Sequence, residues 1–194
     1  NLPNRNVAVY VGHAQGSERA GDNTYGTGIE EAAQFLREVD EFQTLTAETQ
    51  QAVIDELIAD VQGRMPQVDS ETDSIAGHMV AGVITKAFGL TGPFFALNSA
   101  CASSLQAIMM GARALQSGQV DMAIVGGASD CKSDSLVLFS AAQSMSSTGS
   151  RPFDATADGL VMGEGYVCMV MKTLERALLD GDKIQAVVSG AGVA

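Results

Sequence analysis

The spacing of apolar residues divides this chain into strands and helices. Residues 6–12 (NVAVYVG) form a short β-branched apolar run that reads as a buried strand. A glycine-rich stretch follows. Residues 47–65 then switch to helical spacing, with Val53, Ile54, Leu57, Ile58, Val61 and Met65 on one face, Thr46 as N-cap and Glu48 in the first turn. A second helix is predicted over residues 75–88, rich in small residues (Gly77, Ala81, Gly82) and stopped by Gly89. Next comes a strand–helix–strand unit. Its first strand spans 93–100, and its helix, 102–116, turns Leu105, Ile108, Met109, Ala112 and Leu115 inward and stops at Gly118. Its second strand, 120–125, is wholly apolar, the kind buried in parallel sheets. A serine-rich region, 140–150, precedes a loop holding Arg151-Pro152-Phe153-Asp154. Two further strands, 166–171 and 183–189, flank a short helix, 174–179, that closes at Asp180-Gly181-Asp182.

Alternating strands and helices imply an α/β chain with a mostly parallel sheet. No linker, short-period repeat or low-complexity tract interrupts it. The last strand runs into Gly190-Ala191-Gly192-Val193-Ala194 without a closing helix, as in part of a larger fold.

With 194 residues the chain can bury the core of one domain. No apolar run is long enough for a membrane span, and the first residues lack the basic and apolar regions of a signal peptide, so the reading is cytoplasmic and off the membrane. A formal charge of −12 with only 11 Lys and Arg argues against nucleic acid, whose phosphates need a basic patch. An acidic carrier protein would need a local Lys or Arg cluster. The cysteines Cys101, Cys131 and Cys168 are odd in number and dispersed, which fits neither a disulfide framework nor a zinc site. They read as reduced thiols, with Cys131 and Cys168 as core residues.

Cys101 lies between a strand ending Asn98-Ser99-Ala100 and a helix opening Ala102-Ser103-Ser104. Small residues on both sides permit a nucleophile elbow, expected between a central strand and a buried helix with the sulfur facing a cavity. At a helix N-terminus, unpaired N–H groups and the dipole favour a thiolate and can face an oxyanion. Position alone leaves open a plain buried cysteine at a strand–helix junction.

The string Asn98-Ser99-Ala100-Cys101-Ala102-Ser103-Ser104-Leu105 resembles the active-site motif of β-ketoacyl synthases of the polyketide and fatty-acid type. The resemblance covers most of the chain. Ala81-Gly82 and Phe88-Gly89-Leu90-Thr91-Gly92-Pro93 are similar to the helix and turn before the nucleophile strand. Gly118-Gln119-Val120-Asp121 and Gly126-Gly127-Ala128 are similar to the next strand and its glycine turn. The block Arg151-Pro152-Phe153-Asp154, Ala157-Asp158-Gly159 and Gly163-Glu164-Gly165 is the most specific, followed by Lys172-Thr173-Leu174 and Asp180-Gly181-Asp182. The Met162-Gly163-Glu164-Gly165 form and the segment from Ala47 to Asp73 resemble iterative multidomain synthases of polyunsaturated fatty acids or enediyne-type polyketides.

The resemblance implies a thiolase-like fold of layered αβαβα type, two related halves that usually form a homodimer, with only part of the N-terminal half in residues 1–194. It implies Cys101 as nucleophile, its backbone N–H as oxyanion donor, and decarboxylative Claisen condensation with a malonyl-carrier protein. No cofactor or metal is expected; substrates ride on the phosphopantetheine of an acyl carrier protein. The partners implied are that carrier, the remaining half and the other synthase domains. The two catalytic histidines of the family lie in motifs of the second half that this chain lacks, and a first strand is expected before Asn1. His13 and His78 read as structural.

Asp154, Asp158 and Glu164 are expected to hold the loop near the site with Arg151, as structural residues and not an acid–base pair. Met109 and Met110 are adaptable core or lining of an acyl channel, and Ser103 and Ser104 cap a helix. No Gly-x-Ser-x-Gly elbow occurs. The competing readings are a thiolase or ketosynthase-III-like coenzyme A enzyme, against which the Arg151–Asp158 block speaks, and a non-catalytic chain-length factor, against which Cys101 speaks.

Overall fold

In strand β1 (Val7–Gly12), Val7, Val9 and Val11 face one side and Ala8 and Tyr10 the other, and all five are buried. Burying each of the larger side chains is worth about 1.5–3 kcal/mol. A strand apolar on both faces has to be covered on both, so β1 lies inside the sheet. It runs parallel to β2 (Phe94–Leu97) on one side and β3 (Met122–Ser129) on the other. Strand β4 (Gly165–Met171) adds antiparallel to β3, giving the order β2-β1-β3-β4. The helices, in chain order, are α1 (Glu18–Arg37), α2 (Asp40–Gln43), α3 (Ala47–Arg64), α4 (Met79–Phe88), α5 (Ser103–Gln116), α6 (Ser133–Ala141) and α7 (Leu174–Asp180).

These elements come from a computed structural model that describes residues 6–13, 18–65, 77 and 79–192, with the side chains of 18–24 excepted. They fall into two compact units, one made of 16–76 and the other of the residues before and after that segment. In the sheet unit, Ala81 and Leu90 cover Val7, Val9 and Val11, while α5 covers Ala8 and Tyr10 with Ala107, Ala114 and Leu115. One α/β/α sandwich results, which is the Cys101-bearing share of the layered arrangement expected. The ring of Tyr10 stacks on that of Phe95 in the neighbouring strand, with centres 5.7 Å apart.

The helical unit was only half expected. Helix α3 starts at its expected cap, where the Thr46 side chain accepts from the Thr49 N–H. Its buried contact is Ile54, packed with Ala33 and Phe42, whereas Val53 is exposed. Helix α1 was hidden by Gly21, Gly26 and Gly28, each of which costs about 1 kcal/mol in a helix. Packing of Ile29 and Ala33 offsets that cost. Of the 23 acidic residues 14 lie in 16–76 with only three basic ones, so this segment carries −11 of the chain's −12.

Five expectations need correction. Leu105 points outward, 67% exposed, because the sheet-facing stripe of α5 begins at Ser103, and two residues further is about 200° round the helix. Gly126-Gly127 is no turn but lies inside β3. Residues 183–189 run without a partner strand among the described residues, and Ile184, Val187 and Val188 are exposed. A strand without a neighbour leaves its backbone groups unpaired, so extended β pairing does not form there. Cys168 is exposed because β4 is covered only at its Met171 end among the described residues, and Cys131 is exposed in the connection after β3. The start of the helix expected over 75–88, with His78, lies outside the described residues.

Gly126 allows β4 to approach: a Cβ there would overlap the Val167 carbonyl oxygen and reach 2.9 Å from the Cys168 Cα. Backbone atoms cannot swing aside as a flexible side chain can. Gly126→Ala is expected to destabilise the sheet unit by about 1–3 kcal/mol, read as a lower urea midpoint. An unchanged midpoint would show that β4 is not held this closely.

Candidate active site

The segment joining β2 to α5 is short and strained. Ala100 has φ 50°, left-handed for a residue with a Cβ, directly before Cys101. Such a conformation costs on the order of 1–3 kcal/mol and persists where neighbouring contacts over-determine it. Those contacts are present. The Asn98 carboxamide oxygen accepts from the Ala100 N–H at 3.1 Å. Ser103 Oγ accepts from the Ser99 N–H at 2.9 Å and donates to the Ala100 carbonyl at 2.6 Å. The Ala102 and Ser103 N–H groups return to the carbonyls of Ser99 and Ala100. Ser103, buried at the first position of α5, thus ties the turn, but the cap position is Ala102 and no side chain caps the helix, so the capping expected of Ser103 and Ser104 is not formed. Cys101 itself is exposed. It stands at the strand–helix elbow as expected, but it is exposed where a thiol facing a cavity was expected, and among the described residues β2 is an edge strand of the sheet, not a central one.

The seat of that elbow is made of glycine. A Cβ on Gly12 would run into the Ser104 N–H and reach 2.5 Å from the Ser103 carbonyl carbon. One on Gly127 would stand 3.1 Å from the Ser104 Cβ. Gly12 and Gly127 are register partners in adjacent strands. The first turn of α5 therefore lies directly on the ends of β1 and β3, and with it the foot of the elbow.

A second polar assembly holds the loop 144–160. Ser146 N–H donates to the Leu160 carbonyl at 2.8 Å and Leu160 N–H to the Ser144 carbonyl at 2.9 Å, joining the arms. Between them Asp158 gathers Ser146 Oγ at 2.5 Å, Thr148 Oγ1 at 2.8 Å and the Arg151 guanidinium at 3.0 Å. The Ser146 and Thr148 hydroxyls, with Arg151 behind them, hold the Asp158 carboxyl below the usual carboxylate range. Gly159, at φ 153°, has no space for a side chain, since a Cβ would stand 2.6 Å from Ser146 N. Asp154 serves its own turn: the Thr156 N–H and hydroxyl donate to it at 2.8 and 2.7 Å and lower its pKa. The expected Arg151–Asp158 pairing is thus formed, Asp154 acts beside it, and Glu164 is exposed outside the network.

The Lys172 and Asp180-Gly181-Asp182 motifs also meet. Lys172 bonds both Asp180, at 2.8 Å, and Asp182, while Arg176 reaches Asp180 at 2.9 Å. The Asp180 and Asp182 carboxylates hold the Lys172 ammonium above its ordinary pKa. Tyr166 donates to Asp130 across the β3–β4 end, and that carboxylate raises the phenol's pKa. Sequence reasoning missed Ser146, Thr148 and the Tyr166–Asp130 pair. The serine-rich stretch was the available signal for the first two. Among the described residues no group of His, Cys, Asp and Glu stands together as metal ligands do.

Sheet, flanking helices and cysteine-bearing turn are those of a thiolase-like fold. A β-ketoacyl synthase from Burkholderia phymatum STM815 superposes with TM-score 0.65 at 24% identity, over 92% of this chain and 38% of that one. The ketosynthase from module 6 of the bacillaene synthase from Bacillus subtilis 168 gives 0.61 at 25% identity, over 94% and 24%. The sequence pattern of the β-ketoacyl synthase N-terminal domain matches residues 1–177, and the chain belongs to that family. It is 43% identical over 114 residues to a highly reducing polyketide synthase of Didymella fabae, across 58% of this chain and 6% of that protein. It is also 43% identical over 112 residues to a phenolphthiocerol/phthiocerol polyketide synthase of Mycobacterium tuberculosis, across 57% and 8%. The chain therefore spans less than a tenth of these curated relatives.

Two outcomes are expected. Gly12→Ala should lift the first turn of α5 and slow alkylation of Cys101 by iodoacetamide about tenfold or more, with Cys168 on β4 as the unaffected control. Equal Cys101 rates in both proteins would refute the glycine seat. The second concerns acid. Asp158 has a depressed folded-state pKa, so its contribution is full above the ordinary carboxylate range and lost as pH falls through the depressed value. The gap in urea midpoint between wild type and Asp158→Asn should therefore be largest near neutrality and shrink progressively as pH falls below the ordinary carboxylate range. A gap independent of pH would remove the carboxylate from the loop's stability.

Proposed function

We propose that this chain is the acyl-accepting part of a condensing enzyme of polyketide or fatty-acid biosynthesis, with Cys101 as nucleophile. The observation that carries the reading is the exposed Cys101 on a turn strained at Ala100 and seated at the foot of α5. The sulfur attacks the carbonyl of an acyl thioester carried on phosphopantetheine. A new carbon–sulfur bond forms, the old one breaks, and the carrier's thiol leaves with the proton that Cys101 gave up. The backbone N–H of Cys101 is assigned to the oxyanion. A malonyl extender then loses carbon dioxide, and its carbanion attacks the acyl group, forming a carbon–carbon bond and releasing the Cys101 sulfur.

The substrates arrive on an acyl carrier protein, and no cofactor is needed in this domain. The strongly acidic 16–76 segment would repel an acidic carrier, which favours docking on the nucleophile-bearing unit. Exposed Val167, Val170, Leu178 and Leu179 support packing of the remaining ketosynthase half against this end of the chain. The open edge of β2 supports a homodimer. Among the described residues no helix is long and apolar enough to cross a membrane, in line with a cytoplasmic enzyme. Arg151, Asp154 and Asp158 keep structural roles in the loop 144–160, whereas Glu164 stands outside that network. Condensation needs the two family histidines, and His13 and His78 stand outside the motifs that carry them.

Incubation with an acyl-pantetheine thioester should add one acyl group at Cys101, read by intact mass and peptide mapping, and Cys101→Ala should abolish it. With malonyl-carrier protein added, the 194-residue chain by itself should yield no β-ketoacyl product. Acylation of Cys131 or Cys168 instead, or product at the rate of an intact ketosynthase, would overturn the assignment.

A further inference from the structure

We propose that His13 is a positioning residue for Cys101. Its backbone N–H donates to the carbonyl of Leu97, the last residue of β2, at 2.9 Å. Its ring Nδ1 lies 3.0 Å from the carbonyl oxygen of Ala128 in β3. A carbonyl only accepts, so Nδ1 carries the hydrogen. One residue thus ties the ends of β2 and β3 to β1, just past the last ladder pairs of Gly12 with Leu97 and Gly127.

Those tied ends frame the elbow. Leu97 opens the connection that leads through Ala100 to Cys101, and Gly12, adjacent to His13, is the floor under Ser103 and Ser104. The left-handed Ala100 holds only while both ends of its segment are fixed. His13 fixes one end through Leu97 and levels the floor through Ala128. The ring is half-buried, and its N–H meets a backbone acceptor beyond the point where β1 itself could supply a donor. The requirement is a donor of this reach, not an imidazole. Asparagine supplies one, because its Nδ2 stands as many bonds from Cα as the histidine Nδ1. Aspartate has that shape and, ionised, no hydrogen to give.

The proposal rests on Cys101 being the acyl-accepting nucleophile. Its test uses the complete protein and measures acyl transfer from an acyl-pantetheine thioester to Cys101 over a range of donor concentration, per folded molecule. His13→Phe should lower the limiting acylation rate about tenfold or more and leave the half-saturating donor concentration unchanged, as expected when the reacting atom is misplaced. His13→Asn should restore the rate to within about threefold of wild type, a difference small beside the misplacement effect. Should His13→Phe not fold, His13→Asp against His13→Asn gives the same contrast, with Asp slow. His13→Phe or His13→Asp as fast as wild type, or His13→Asn as slow as either, would overturn the proposal and leave Cys101 as nucleophile. Wild-type protein that is not acylated at Cys101 would overturn the nucleophile assignment itself, and this proposal with it.

Discussion

A helix can rest its first turn on a sheet only where the strands beneath carry no side chain in the way. Gly12 and Gly127 meet that condition side by side towards the ends of β1 and β3: above Gly127 sits the Ser104 Cβ, and at Gly12 the backbone of Ser103 and Ser104 fills the space a Cβ would need. The contact is backbone against backbone, so it tolerates almost no adjustment. It sets the height of α5 above the sheet, and through Ser103 the turn that carries Cys101. Behind it, α5 covers Ala8 and Tyr10 with small side chains, a stripe that matches so close an approach. Helix, elbow and central strand are therefore one mechanical unit.

Polar groups in this molecule are spent on holding irregular backbone. The elbow uses the side chains of Asn98 and Ser103, and the loop 144–160 uses Ser146, Thr148, Arg151 and Asp158. Lys172, Arg176, Asp180 and Asp182 fasten the two ends of α7. Exposed ion pairs of this kind contribute little stability singly. Their effect here is geometric: each defines a conformation where no ladder or helix would.

The surface divides as the proposed function requires. Almost all net charge lies on the 16–76 segment, which leaves the unit that carries Cys101 nearly neutral. On that unit β4 and α7 present uncovered apolar side chains, and 183–188 continues in the same way. A sheet with one well-packed end and one bare end belongs to a protein that continues packing elsewhere, in keeping with a chain that covers 38% or less of the solved ketosynthases it matches.

Much of this was legible in the residues because it depends on neighbours in sequence. The run NVAVYVG can only be a buried strand, Thr46 can only open a helix, and the small residues around Cys101 permit the tight turn found there. The motif strings also pointed correctly to the ketosynthase family, since chemistry at a cysteine demands the same local geometry wherever it recurs. Contacts between distant segments were not legible. Gly126-Gly127 looked like a turn because glycine has no local signature that separates conformational freedom from want of space; only the approach of β4 and α5 decided that it was space. Leu105, Cys131 and Cys168 were placed inside on their apolar character, whereas exposure is set by what covers a residue. His13 carried no motif at all. Its contacts appear only when strand register brings Leu97 and Ala128 to either side of it, 84 and 115 positions along the chain, a juxtaposition that tertiary structure alone creates.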